Sequence, residues 1–157
     1  MEICASHRDR LFPAAHISLR DPALAVRELE RVAKLECHSI FVGAPPYAKQ
    51  VFRHASNFSR FLLEYDDWRS GSFEPLRDIP EDKVVVLGLI STKRSELEPI
   101  EAVIGRIEEA ARYFPREQMG LSTQCGFGTV WEGNPISPSV QEEKLRHVVE
   151  TARRAWG

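Results

Sequence analysis

The chain has 157 residues, a net charge of −2, 43% hydrophobic residues and 28% charged residues. That length supports one domain with a core of its own, and the composition is that of a soluble globular protein rather than a disordered chain. The small net charge offers no basic surface for nucleic acid, and no apolar stretch reaches the roughly 18 residues that a membrane span needs.

The first part of the chain predicts a β-α-β unit. Leu11 to Leu19 is mostly apolar and predicts a strand. Asp21 and Pro22 are suited to the N-cap and first turn of a helix that runs to Lys34. Ser39 to Val42 predicts the next strand. Residues 45–60 predict a loop, which is the best candidate for a junction between two parts of the chain.

The remainder predicts three strands and two helices. The strands are Phe61 to Tyr65, Lys83 to Ser91 and Gln118 to Cys125, and Asp66 to Pro80 predicts an irregular or short-helix connection. This alternation predicts an α/β fold with a mainly parallel sheet flanked by helices.

Both later helices show N-terminal capping signals. Ser95 and Glu98 form a capping-box pattern before a helix that ends at Pro115, and Ser139 with Glu142 forms another. The final helix is expected to pack on the sheet through a stripe of Leu145, Val148, Val149, Ala152 and Trp156.

Glu64 and Cys125 are the main candidates for chemistry, since each ends an apolar run that predicts a strand. In a parallel sheet the C-terminal strand ends open on one side, so a carboxylate and a thiol at such ends can share a metal ion. For Cys125, a merely buried thiol carries equal weight. A carboxylate that follows Phe61 to Leu63 is costly to bury without a partner.

Other candidates are weaker. Cys4 and His7 form a C-x-x-H pair near the terminus, and His16 lies towards the end of its strand, where a core or rim histidine is the usual role. The rest are expected at ordinary positions: Asp66 and Asp67 in a solvated turn, Ser91, Thr92 and Lys93 in an anion site or a plain turn, and Cys37 and His38 on the opposite, structural side.

The cysteines and the first ten residues indicate in which cellular compartment the protein is expected. Three widely spaced cysteines, Cys4, Cys37 and Cys125, do not form a disulfide framework and favour reduced thiols. The first ten residues are crowded with charge and do not resemble a signal peptide. We therefore expect a cytoplasmic protein.

Residues 61–157 closely resemble the C-terminal part of cobalamin-independent methionine synthase. The stretches that carry the resemblance are FLLEYDDWRSGSFEPLRDIP, KVVVLGLISTKRSELE, LSTQCGFGTVWEGNPIS and KLRHVVETARRAWG. The resemblance implies a (β/α)8 TIM barrel whose zinc ion activates the homocysteine thiol for methyl transfer from methyltetrahydrofolate. By motif, it implies that Glu64 and Cys125 are zinc ligands. The family's H-x-C motif is not found upstream of Glu64.

Residues 8–60 resemble a different group, the middle strands of amidohydrolase-type barrels. The stretch is RDRLFPAAHISLRDPALAVRELERVAKLECHSIFVGAPP, and it implies no metal ligand. One domain, residues 1–157, would then join two barrel pieces, as in a chimera or a truncated reading frame.

These observations predict a partial, half-barrel-like (β/α)8 fold, because five strands cannot close an eight-stranded barrel of roughly 250 residues. Its exposed strand edges favour a homodimer. The leading hypothesis for function is a methionine-synthase-like methyltransferase with an incomplete zinc site and little turnover. The alternatives are a non-catalytic or engineered barrel fragment, and an amidohydrolase-like metal-dependent hydrolase that uses His16.

Overall fold

A computed structural model of the chain describes residues 13–18, 21–42, 52, 55, 57–128 and 132–157. Within them lies a five-stranded sheet with strand order β1-β2-β3-β4-β5. Its strands are β1 (Ala14–Ile17), β2 (Ser39–Val42), β3 (Arg60–Glu64), β4 (Val84–Ile90) and β5 (Met119–Thr123), and the described α-helices are α1 (Pro22–Ala33), α2 (Ile100–Ala110) and α3 (Pro138–Trp156). The predicted α/β fold is confirmed.

Every neighbouring pair of strands is parallel, and the strands follow one another in chain order. Right-handed crossovers without a reversal of strand order place successive connections on the same face of a sheet. The core agrees with this rule. Ile40, Phe61 and Leu87 from the strands share one buried cluster with Leu29 of α1 and Ile107 of α2.

The opposite face of the sheet is less covered. His16, Phe41, Leu62 and Val86 lie in one row across β1 to β4. His16 is exposed, the other three are half-buried, and all four lie outside the hydrophobic core. The sheet therefore has one face packed against helices and one open, partly apolar face.

The connection from β3 to β4 contains two short 3-10 helices, Trp68–Ser70 and Glu74–Asp78. Phe73, Leu76 and Ile79 bury their side chains in the core. The irregular connection that the prolines and glycine predict is thus confirmed. Most of the predicted loop at 45–60 lies outside the described residues, although Phe52, Ala55 and Phe58 are buried in the same core.

The positions of proline match the starts of the described helices better than the predicted capping boxes do. Asp21 caps α1 as predicted, since its Oδ1 accepts hydrogen bonds from the amides of residues 23 and 24 at 2.9 and 3.1 Å. The capping box of Ser95 and Glu98 is wrong. The N-cap of α2 is Pro99, because a residue before proline disfavours the helical backbone and Glu98 is such a residue.

The start and packing of α3 also differ from the prediction. Its N-cap is Ser137 rather than Ser139, and Pro138 takes the first helical position. Val148 and Trp156 of the predicted stripe pack against the core, but Leu145 and Val149 are 53% and 50% exposed, and Lys144 is buried instead. Lys144 can be buried because its Nζ donates to the carbonyl oxygen of Glu96 at 2.7 Å. None of the described helices is both long and apolar enough to cross a membrane.

Candidate functional site

Three neighbouring strand ends bring the polar side chains of the site together. Glu64 is the last residue of β3, Ser91 and Lys93 follow β4, and Gln124 and Cys125 follow β5. Because these strands are parallel, their C-terminal ends lie at one edge of the sheet. We call Glu64, Asp66, Lys93, Gln124 and Cys125 the strand-end site.

A glycine and a bulge bring the end of β5 close to β3. Gly88 of β4 pairs with Glu64 on one side and with Ser122 on the other, and the register between β4 and β5 shifts between Gly88 and Ile90. A Cβ at Gly88 would lie 3.0 Å from the carbonyl oxygen of Leu63 and 2.8 Å from Cα of Gln124. Only glycine permits this approach without a backbone shift.

The side-chain amide of Gln124 links the two predicted metal ligands. Its Nε2 donates to Oε1 of Glu64 and lies 2.9 Å from Sγ of Cys125. Its Oε1 accepts a hydrogen bond from Oγ1 of Thr92 at 3.1 Å. The predicted proximity of Glu64 and Cys125 is therefore present, with a buried amide as their shared partner.

The ammonium group of Lys93 lies among three carboxylates. Its Nζ is 3.3 Å from Oε1 of Glu64, 3.1 Å from Oδ1 of Asp66 and 3.7 Å from Oδ2 of Asp67. Burial opposes the charge of Lys93, but its hydrogen bonds to Asp66 and Glu64 outweigh burial and raise its pKa. Lys93 is therefore a fixed cation whose charge is already balanced, which argues against the anion site considered for residues 91–93.

Asp66 is a buried part of the site, so its expected place in a solvated turn is wrong. Its side chain is 2% exposed, and its Oδ2 accepts a hydrogen bond from Oγ of Ser91 at 2.8 Å. A carboxylate this buried needs a charged partner, and Lys93 supplies it. Asp67 is more open, and its hydrogen bond with Arg69 lowers its pKa to about 2.

The loop after β4 is held from behind by α3. The amide of Ser91 donates to Oε1 of Glu98 at 3.0 Å, and Oε2 of Glu98 lies 3.6 Å from Nζ of Lys144. Lys144 is fully buried. This chain of contacts fixes the backbone that carries Ser91 and Lys93.

The thiol of Cys125 is held in its protonated form by its surroundings. Burial raises the pKa of Cys125, and the negative charges of Glu64 and Asp66 raise it further, while Lys93 acts in the opposite direction. A cation placed between Glu64 and Cys125 would favour the thiolate. The electrostatics of this edge therefore suit a positive ligand.

An open cavity of about 420 Å³ adjoins the thiol. It is lined on one side by Phe41 and Leu62 from the open face of the sheet, and on the other by Ser122, Gln124 and Cys125. An apolar wall beside polar groups suits a small molecule with a short hydrocarbon chain and a polar end.

The other sequence candidates lie elsewhere. His16 lies on β1, two strands away from β3 and in the same row across the sheet as Phe41 and Leu62. Its ring centroid is 5.4 Å from that of Phe41. Cys37 is buried before β2, and its thiol donates to the carbonyl oxygen of Pro13 at 3.3 Å. Cys4, His7 and His54 lie outside the described residues.

The described residues fit only part of a zinc site. Glu64 and Cys125 have suitable donor atoms, but in the described ranges no three His, Cys, Asp or Glu side chains form a group that could hold a metal ion. Catalytic zinc normally has three protein ligands. The described strand-end site by itself therefore has too few ligands for a catalytic zinc ion.

Sequence reasoning missed Gln124 as a site residue, and it considered Lys93 only for an anion site or a turn and Asp66 only for a solvated turn. Asp66 and Lys93 come just after predicted strands, and Gln124 precedes Cys125 at the end of the last one, so all three lie at the same end as Glu64. That position was the available signal, because polar residues just beyond parallel strands converge. The pairing itself is not visible in sequence, since Gln124 and Glu64 are 60 residues apart.

No protein-family model matches the chain. Two curated proteins of Bacillus subtilis (strain 168) are similar to it. The uncharacterized protein YxjG is 50% identical over 115 residues, which are 73% of this chain and 30% of that protein. The uncharacterized protein YxjH is 48% identical over 101 residues, 64% of this chain and 27% of that protein. The matches thus cover less than a third of the relatives' length.

A solved structure is also similar. It is the crystal structure named "putative vitamin-B12 independent methionine synthase", from Listeria monocytogenes, with a TM-score of 0.55 and 31% identity. The match covers 75% of this chain and 35% of that one. Over the matched part, this chain is similar in sequence and in fold to that protein. The match to YxjG is longer than the 97 residues from 61 onward, so it extends into the segment that resembles amidohydrolase-type barrels. No comparison supports that resemblance, which stays a prediction.

Proposed function

We propose that this chain is part of a cobalamin-independent methionine-synthase-like methyltransferase, in which Glu64 and Cys125 are two of the zinc ligands. The reaction would move a methyl group from methyltetrahydrofolate to the thiol of homocysteine. The observation that carries the proposal is the convergence of the Glu64 carboxylate and the Cys125 thiol on the amide of Gln124. The similarity to the Listeria protein supports the same class of reaction.

The residues of the strand-end site would have distinct tasks. Bound zinc supplies a positive charge that favours a thiolate nucleophile at neutral pH. Cys125, as a thiolate, and Glu64, as a carboxylate, would hold the ion. Gln124 orients both side chains, while Phe41 and Leu62 offer apolar contact for the methylene carbons of the substrate.

The described residues would supply only part of the zinc site. Two protein ligands leave zinc half-coordinated by water, so this part alone should bind zinc weakly and turn over little or no substrate. The curated relatives are more than three times as long as their matched parts. We infer that the missing ligands come from residues beyond those described here.

The same reasoning applies to the fold. We propose that the singly wound sheet is part of a (β/α)8 barrel, with the open face around Phe41, Leu62 and Val86 as its interior. Parallel strands in chain order, with helices on one face, are the arrangement of such a barrel. In the isolated chain a second copy would cover this face and the strand edges, which predicts a homodimer by light scattering at micromolar concentration.

Zinc binding tests the proposal. Because the partial site should bind zinc weakly, equilibrium dialysis against a series of zinc concentrations up to millimolar, followed by elemental analysis, should approach one zinc per native chain. Cys125→Ser and Glu64→Gln should lose it, whereas Cys37→Ser, at a buried thiol on the far side of the sheet, should keep it. Equal zinc in native protein and Cys125→Ser would overturn the proposal and favour a non-catalytic barrel fragment.

A further inference from the structure

We propose that two copies of this chain associate through the outer face of helix α3, with the two helices antiparallel. The α3 outer face consists of six residues that line a shallow groove of about 480 Å³ along the helix: Glu142, Leu145, Arg146, Val149, Glu150 and Arg153. None of them belongs to the strand-end site, so this association would be independent of the function proposed above.

The α3 outer face points away from the core. Successive residues of an α-helix are turned by about 100°, which puts Glu142, Arg146 and Arg153 opposite the buried residues Lys144 and Thr151. A partner can therefore reach this face without any change in the packing of α3 on β5 and α2.

Two apolar side chains lie in the middle of the face. Leu145 and Val149 are one turn apart and are 53% and 50% exposed. A single exposed apolar residue is ordinary on a protein surface, but two adjacent ones between charged residues have the arrangement of a small interface, an apolar centre with a polar rim. Burial of Leu145 and Val149 would supply attraction without direction, so the charges must select the partner.

The order of the charges selects a second, antiparallel copy of α3. Along the helix the face carries Glu142, Arg146, Glu150 and Arg153, so the charges alternate and the two ends have opposite signs. Reversal of this order places Glu142 opposite Arg153 and Arg146 opposite Glu150, each twice around one twofold axis. The two apolar residues then face each other across the same axis. A parallel copy in register would instead bring like charges together, which is unfavourable.

The charges already have partners within the helix, but these pairs are weak. Nη2 of Arg146 lies 2.5 Å from Oε1 of Glu142, and Nε of Arg154 lies 2.8 Å from Oε1 of Glu150. Ion pairs as exposed as these contribute little to stability. The side chains can therefore re-pair across an interface at little cost.

The size of the face predicts a weak association. Its residues span about three turns, roughly 17 Å of helix. Such a contact buries less than the roughly 1,200 Å² at which stable interfaces begin, so we expect a dissociation constant on the order of 100 µM to 1 mM. This is weaker than the dimer expected through the open face of the sheet, so the two associations should be separate steps.

A charge-reversal experiment tests the antiparallel arrangement. We would follow molecular mass by sedimentation equilibrium, from about 10 µM to 1 mM chain at low salt, for Glu142→Arg and Arg153→Glu alone and in an equimolar mixture. Each variant alone replaces both outer ion pairs by like charges, whereas the mixture restores both pairs. Leu145→Gln tests the apolar centre, and Leu24→Gln is its control, at a residue of α1 that is 56% exposed. Circular dichroism would confirm that each variant is folded.

The expected result is about tenfold weaker association in Glu142→Arg, Arg153→Glu and Leu145→Gln, with Leu24→Gln and the equimolar mixture within about twofold of the native chain. A native chain whose mass does not rise over this range would overturn the proposal. So would a mixture that associates no more tightly than either charge variant alone. Association that is lost in Leu62→Gln but kept in all the α3 variants would assign the second copy to the open face of the sheet alone, and equally overturn it.

Discussion

A Cβ atom on Gly88 would lie 2.8 Å from Cα of Gln124, closer than the backbone can accept. This contact is where the sheet and the strand-end site meet. Gly88 lets β5 end against β3, and the end of β5 carries Gln124 to Glu64. The geometry of the site therefore depends on a residue with no side chain.

Gly88→Ala should destabilise the fold by about 2 kcal/mol, the usual cost of forcing extra atoms into a packed region. It should also separate Gln124 from Glu64. Urea unfolding followed by circular dichroism measures the change. Gly120→Ala is the control, because a Cβ there would meet only Val86 Cγ2, at 3.8 Å. Equal stability of the two variants would contradict the close contact.

The reactivity of Cys125 should respond oppositely to its two charged neighbours. The negative charge of Glu64 raises the pKa of Cys125 and the positive charge of Lys93 lowers it. Glu64→Gln should therefore lower the pKa and speed alkylation by iodoacetamide near pH 8, and Lys93→Gln should slow it. Each change should be about twofold to fivefold.

The alkylation rates would be measured with chelator present. The rate of Cys125 itself is the total rate minus the rate that remains in Cys125→Ser. Glu101→Gln removes a carboxylate that is 83% exposed, in helix α2, and should leave the rate unchanged. A change of the same sign in Glu64→Gln and Lys93→Gln would rule out this electrostatic account.

Lys144→Met should lower the free energy of unfolding by about 2–3 kcal/mol, because it leaves the carbonyl oxygen of Glu96 and the carboxylate of Glu98 without their buried cation. Arg146→Met removes a charge from the same helix, where the side chain is 71% exposed. We expect it to change stability by less than about 0.5 kcal/mol. Similar losses in both variants, by urea unfolding, would argue against a structural role for the Lys144 contacts.

The helix caps can be tested in the same way. Asp21→Ala removes a side chain that accepts two amide hydrogen bonds and should cost about 1 kcal/mol. Ser95→Ala should cost almost nothing, because α2 begins at Ile100 and its N-cap is Pro99. A comparable loss for Ser95→Ala would mean that the helix starts earlier in solution than this structure shows.

Much of the fold was predictable because its signals are local. The β-branched and aromatic run of Ser39 to Val42 gave a strand with the same bounds in the structure, and Asp21 with Pro22 marked the start of α1. The capping box at Ser95 failed for a local reason too, since the proline at 99 outweighs it.

The candidate site was predictable only in outline. The chain order of strands places Glu64 and Cys125 at one sheet edge, and that much follows from sequence. The partners that set their chemistry are far apart along the chain: Lys93 is 27 residues from Asp66, and Gln124 is 60 from Glu64. Burial of Asp66 depends on these partners, so no pattern around it could predict that burial.

By itself, the sequence determined the order of strands and helices, and hence which strand ends share an edge, because hydrophobic periodicity and proline act over a few residues. Tertiary structure decided which charges meet at that edge. It buried Asp66 against Ser91 and Lys93 and placed Gln124 between Glu64 and Cys125, because the free energy of a buried charge depends on neighbours that only folding brings within hydrogen-bond distance.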